Sequence, residues 1–207
     1  MPSGLTKTQV ANLALDLIRS SPLVSFEDTS SSEGRWLNRN FDHAAHTLMR
    51  AYPWNFAKEF RTIPADETAP PFKWSYAYSL PAGWARVTPI NRYGGRYGDI
   101  VPHEIVGSKI YTNESAPLYV ILIMDVSSNP GVWDDLFTEM MRCTLALGMA
   151  NKFTGKSKHI ELASQLLAQA TAKAEEIDAF EGTPEPNEAF DIIRVRGGNE
   201  YTQSWRW

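Results

Sequence analysis

Cysteine is nearly missing from this chain: Cys143 is the single one in 207 residues. One thiol excludes an intramolecular disulfide and a zinc site built on cysteines. Its neighbours Met140, Met141, Thr144 and Leu145 mark it as a small core filler. An excess of basic charge is missing too. With 20 Lys and Arg against 24 Asp and Glu, a formal charge of −4, the surface as a whole is not built to neutralise phosphates. No apolar run approaches the roughly 18 residues that a membrane span needs. The opening residues carry no basic region followed by an apolar one, so a protein made and kept in the cytoplasm, or assembled there, is expected.

The groups that carry chemistry are thin. His43 and His46 lie three apart beside Asp42 and can face the same way, but a metal would need a further convergent donor. His103 and His159 stand alone. Asp134, Asp135 and Glu139 sit where a helix begins, and capping explains them better than acid–base work. No Gly-x-Ser-x-Gly elbow is present. Gly94-Gly95-Arg96-Tyr97-Gly98 lacks the following helix and lysine of a phosphate cradle and reads as a loop tip. No catalytic residue, metal ligand or cofactor is therefore assigned, and the chain reads as a non-enzyme.

What is present is apolar and aromatic. At 43% apolar residues, the chain can bury one good core, or a helical body plus a small satellite domain. Thr6-Lys7-Thr8-Gln9 is a capping box, with Leu5 placed to staple against Val10. It opens a helix over about 7–19, and Pro22 ends the run. Ser30-Ser31-Ser32-Glu33 reads as a second capping box, followed by the stripe Leu37, Phe41, Ala44, Ala45, Leu48 and Met49 up to Pro53. Val24 and Phe26, in the loop between, are expected to tuck under the helix pair.

From Phe56 to about Val126 the period becomes two. Phe72, Trp74, Tyr76, Tyr78 and Leu80 alternate with Lys73, Ser75, Ala77 and Ser79, which predicts one strand with its rings on one face. Pro81-Ala82-Gly83 reads as a turn, Trp84 to Ile90 as a strand, and Gly107-Ser108 as a two-residue hairpin turn. Leu118 to Met124 fits a buried strand. After Pro130 the helical period returns, first through Trp133 to Phe153, then, past the break at Thr154-Gly155-Lys156-Ser157, from Ile160 to Ile177. Gly182 is placed to cap it. The pattern predicts a mainly α fold: a bundle of about four helices with an inserted small antiparallel β domain of four to six strands and an extended C-terminal tail. The expected divisions are 1–55 and 127–182 for the helical body, 56–126 for the insert and 183–207 for the tail.

Two sets of residues invite partners. Phe72, Trp74, Tyr76, Tyr78 and Trp84 could serve the sheet core and subunit contacts, or form a stacking platform for bases. Such platforms come with a basic groove, and here Lys58, Arg61, Lys73, Arg86, Arg92 and Arg96 are offset by Glu59, Asp66, Glu67 and Asp99. In the tail, Phe190, Ile192, Ile193, Arg194, Val195, Arg196, Trp205, Arg206 and Trp207 are poor choices for a permanently solvated segment. Alternation through 191–196 suits strand addition to a neighbouring edge, and Arg and Trp dominate contact energy at interface centres. The tail is expected to dock on a partner.

Several stretches together resemble a known family. Val10-Ala11-Asn12-Leu13-Ala14-Leu15, Ala51-Tyr52-Pro53-Trp54-Asn55-Phe56-Ala57, Tyr76-Ala77-Tyr78-Ser79-Leu80-Pro81 and Trp133-Asp134-Asp135-Leu136-Phe137 are similar to the tail tubular protein A family, the head-to-tail adaptors of short-tailed bacteriophages. The resemblance covers about residues 5–180, and Pro53-Trp54-Asn55-Phe56 is its most specific part. It implies a virion protein with no catalytic residues, assembled in the host cytoplasm as a twelvefold ring beneath the portal protein. That ring would join the portal to a tail nozzle protein of the tail tubular protein B kind, and DNA would pass through it without sequence-specific binding. The alternative reading is a nucleic-acid-binding packaging or ejection accessory. A tail-associated cell-wall hydrolase would need a convergent carboxylate pair that the sequence does not place.

Overall fold

A computed structural model describes residues 4–92, 100–155 and 157–181. Helix α1, Lys7–Leu17, starts at the expected capping box: the Thr6 hydroxyl accepts from the Gln9 amide at 3.3 Å, and the Gln9 side chain accepts from the Thr6 amide at 2.8 Å. Helix α2, Ser32–Ala51, starts one residue later than its expected box. Ser31 caps it by accepting from the Gly34 amide at 2.9 Å, while Glu33 turns to the Ser32 and Ser20 hydroxyls. Phe26 does tuck in, edge-on to Phe41 at 5.1 Å between centroids. Val24 does not, and stands 94% exposed.

A short 3-10 turn, Asn55–Ala57, leads into strand β1, Lys58–Ile63. Then come β2 (Tyr76–Ser79), β3 (Trp84–Val87), β4 (His103–Val106), β5 (Lys109–Thr112) and β6 (Leu118–Met124). They form two antiparallel sheets, ordered β1-β6-β3 and β2-β5-β4. Gly107, at φ +62°, makes the β4–β5 turn, and Val106 pairs with Lys109 across it. Helix α3, Asp135–Met149, is capped by Asp134, whose carboxylate accepts from the Leu136 amide at 2.8 Å. It loosens into a π turn, Ala150–Thr154, and stops at Gly155, which is left-handed at φ 56°. Helix α4, Ser157–Glu181, follows.

The expected mainly α architecture is corrected: 47% of residues are helical, but 19% lie in two three-stranded sheets, and the fold is mixed α and β. The reason is that the β part builds a core of its own. Directly opposed residues of an antiparallel pair share a face. Ile63, Leu118, Val120 and Leu122 thus point from one sheet toward Tyr78 and Ile110 of the other, with Leu80, Ile90 and Val101 closing the same buried cluster. The helices bury a second cluster around Trp133, Phe137, Phe41 and Leu37. Strand β6 serves both, because Ile123, on its other face, joins the helical core. Ala85 does too, at the point where the β3–β6 register shifts between Trp84 and Arg86.

The single ring-bearing strand expected over Phe72–Leu80 is also corrected. Only Tyr76–Ser79 is extended, and Lys73 turns the chain at φ 69°. Phe72 is 78% exposed, whereas Ala77, expected on the polar face, is buried. The segment after β1 covers it, the Asp66 amide donating to the Ala77 carbonyl at 2.8 Å.

Candidate functional site

Two of the stretches that carry the resemblance, 51–57 and 133–137, meet at one joint, while Tyr78 and Leu80 of a third lie in the sandwich core. Trp54 is 2% exposed and its indole N–H donates to the Leu48 carbonyl at 3.0 Å, folding the chain back on the last turn of α2. Its ring meets Tyr52 at 4.8 Å and Phe137 edge-on at 5.4 Å, and Phe56 meets Phe137 at 5.2 Å. Pro53 supplies a residue that cannot continue the helix. Arg86 closes the joint from the sheet side: its guanidinium donates to the Arg50 and Ala51 carbonyls at 3.4 and 3.3 Å. Nothing in the sequence around Arg86 signals that role, because the carbonyls it satisfies lie some 35 residues away.

The five aromatic residues singled out in the sequence are separated by the fold. Tyr78 is fully buried, its hydroxyl donating to the Glu114 carbonyl at 2.7 Å, and the surrounding core raises its pKa. Trp84 is half-buried against the sandwich core. Trp74 is half-buried as well, its indole donating to the Glu104 carboxylate at 3.0 Å and Lys73 lying over its ring. Phe72 and Tyr76 alone among the five are exposed.

The nearby cations among the described residues are engaged within the chain. Lys58 donates to Asn55, Arg61 pairs with Glu59, Lys73 with Glu104 and Arg92 with Glu114, while Arg86 holds the helix end. Arg96 lies outside the described residues, as do Phe190, Ile192, Ile193, Arg194, Val195, Arg196, Trp205, Arg206 and Trp207. The hydrogen bond from Lys73, then that from Trp74, holds the Glu104 carboxyl below its usual value. Asp66 is likewise held low, chiefly by Lys109 at 2.6 Å.

Among the described residues no three His, Cys, Asp or Glu side chains gather where they could hold a metal ion. His46 lies 3.9 Å from Asp125, and the ring of His103 bonds the Val101 carbonyl at 2.8 Å. Cys143 is fully buried and its thiol pKa is raised, mainly by that burial. A groove of about 270 Å³ beside Asn91 is lined by Glu114 to Tyr119; its one carboxylate, Glu114, is the partner of Arg92. No described helix is long and apolar enough to cross a membrane.

Large apolar side chains stand in water on both parts of the fold: Val24 on the α1–α2 loop, Leu162 and Ile177 on α4, Phe60 on β1, Phe72 before β2, and Val106 at the β4–β5 turn. Hydrophobic periodicity missed Val24 and placed Phe72 in a buried face. Comparison with known proteins adds no identification, since no family model and no curated protein matches the chain.

Proposed function

We propose that this chain is a structural virion protein, a head-to-tail adaptor of the tail tubular protein A kind. Its ring would join the portal to the tail nozzle and continue the DNA channel. The observation that carries the reading is the placing of exposed apolar side chains on two separate parts of one subunit. Val24 is 94% exposed on the helical side and Phe72 78% exposed on the β side. A subunit of a closed ring contacts its neighbours through two different surfaces, and each needs apolar anchors. The Trp54 joint supports the same reading. Trp54, in the most specific part of the resemblance, packs the chain leaving α2 onto Leu48 and Phe137, and Arg86 of β3 bonds the carbonyls at that same helix end.

In this reading residues 183–207 capture the portal, and the acidic balance of the chain lets DNA slide without being gripped. The alternative, a nucleic-acid-binding packaging or ejection accessory, draws less support. Tyr78 is buried and the described cations near the rings are already bonded within the subunit.

Negative-stain microscopy of the purified chain, alone and mixed with the portal of its own phage, tests the proposal. Rings or capped portals support it, and deletion of residues 183–207 should then abolish capping. Dispersed monomers that ignore the portal refute it, and salt-dependent binding of DNA by those monomers would favour the alternative.

A further inference from the structure

The β1-β6-β3 sheet has two faces with different fates. One is closed by the sandwich. On the other, Ile123 is covered by the helices, but farther along the same face Phe60 is 79% and Tyr119 42% exposed, with half-buried Ile121 opposite Phe60. Among the described residues strand β1 is also an outer strand, so one row of its backbone donors and acceptors has no strand beside it along this apolar stripe. Lys58, Glu59 and Arg61 discourage promiscuous pairing at such an edge, but they leave the stripe itself in water.

We propose that residues 190–196 of the chain's own C-terminal tail add along the outer edge of β1 and cover Phe60. Position makes this possible. The Tyr52 hydroxyl lies 3.5 Å from the Glu175 carbonyl, so the last turns of α4 run beside the end of α2, six residues before β1 begins. From Glu175 to Glu181 the helix advances only about 9 Å. The next nine residues span up to ~30 Å when extended, more than the ~20 Å length of β1.

Composition makes it specific. In an extended segment Ile193 and Val195 fall on one side, where they meet Phe60 and Thr62. Ile192, Arg194 and Arg196 fall on the other, the side of Ile63 and the Glu59 carboxylate. Tethering to the same chain holds the segment at a high effective concentration, so a modest contact suffices. This cover does not rest on the adaptor reading. If both are right, the tail leaves its own sheet when a partner takes it.

The full-length chain tests the idea, because trypsin cuts after arginine and Arg194 and Arg196 lie inside the proposed strand. Cleavage at these two bonds, followed by mass spectrometry, reports how often the tail is open. Phe60→Asp alters a side chain already in water, and circular dichroism checks that it stays folded. It should speed both cuts by about tenfold, and Ile193→Asp should make the 58–63 amides exchange faster by a similar factor. Equal cleavage rates in the wild type and Phe60→Asp overturn the proposal. Protection that disappears on dilution also overturns it, since it would show that a second copy's tail is the occupant. No portal or ring enters the measurement, so its failure leaves the adaptor reading intact.

Discussion

Gly148 of α3 faces Trp36 of α2, and replacing it tests the packing of the helical core. A Cβ built there would lie 2.7 Å from Trp36 Cη2 and 2.8 Å from Cζ2. That is roughly 0.8 Å short of an ordinary carbon contact of ~3.5 Å. Trp36 packs against the helical core, so its rigid ring must shift for the methyl to fit. Overpacking of this kind costs about 1–3 kcal/mol. Alanine returns about 1 kcal/mol through helix propensity. Gly148→Ala is therefore expected to destabilise by up to about 2 kcal/mol. In a Trp36→Ala background the clash is gone and the propensity gain is left, so the same substitution should stabilise by about 1 kcal/mol. Urea unfolding of the four proteins, followed by circular dichroism, reads the sign in each background. The reasoning fails if Gly148→Ala stabilises the chain that keeps Trp36.

Gly34→Ala should be more harmful, because the added Cβ would sit 2.3 Å from the Asp28 backbone carbonyl, which no rotamer change relieves. A loss of about 3 kcal/mol, read by thermal melting, is expected, and a neutral result would show that the α1–α2 loop yields. Asp66→Asn should lower the unfolding midpoint at neutral pH and leave it unchanged in strong acid. The Asp66 carboxyl is held below its ordinary value by Lys109, so its contribution is present above the unfolded carboxylate range and is lost as pH falls through the folded value. A difference that does not shrink as pH falls through and below the ordinary carboxylate range would refute the pairing. Cys143, fully buried with its thiol pKa raised, should react with a thiol reagent only as fast as the protein opens. Immediate titration of one equivalent in the native protein would contradict its burial.

Local features were legible wherever the determining atoms sit within one turn of each other. The Thr6–Gln9 box, the Asp134 cap, the Gly107 turn and the Gly155 stop are all present, because each depends on neighbours within five residues. The apolar run 118–124 is the strand it looked like, central in its sheet and covered on both faces along part of its length. Ser30 shows how narrow the margin is. With serine at 30, 31 and 32, three hydroxyls compete, and the close approach of Asp28 to Gly34 accompanies the choice of Ser31. The ring alternation at 72–80 misled because period two is shared by any extended segment. The left-handed Lys73 interrupts this one, and its Nζ bonds Glu104, 31 residues away.

The sequence by itself determined the order of helices and strands, the caps of α1 and α3, the Gly107 turn, and the burial of Cys143 in an apolar run. These follow from short-range hydrogen bonding and from periodicity, which are written in consecutive residues. Only the tertiary structure decided that the strands divide into two sheets around a separate core. It also decided that Tyr78 is sealed while Phe72 and Val24 face water, and that Arg86 of β3 ties the sheet to the end of α2. Those outcomes depend on which apolar faces find each other across long stretches of chain, and burial of area carries no record of sequence distance.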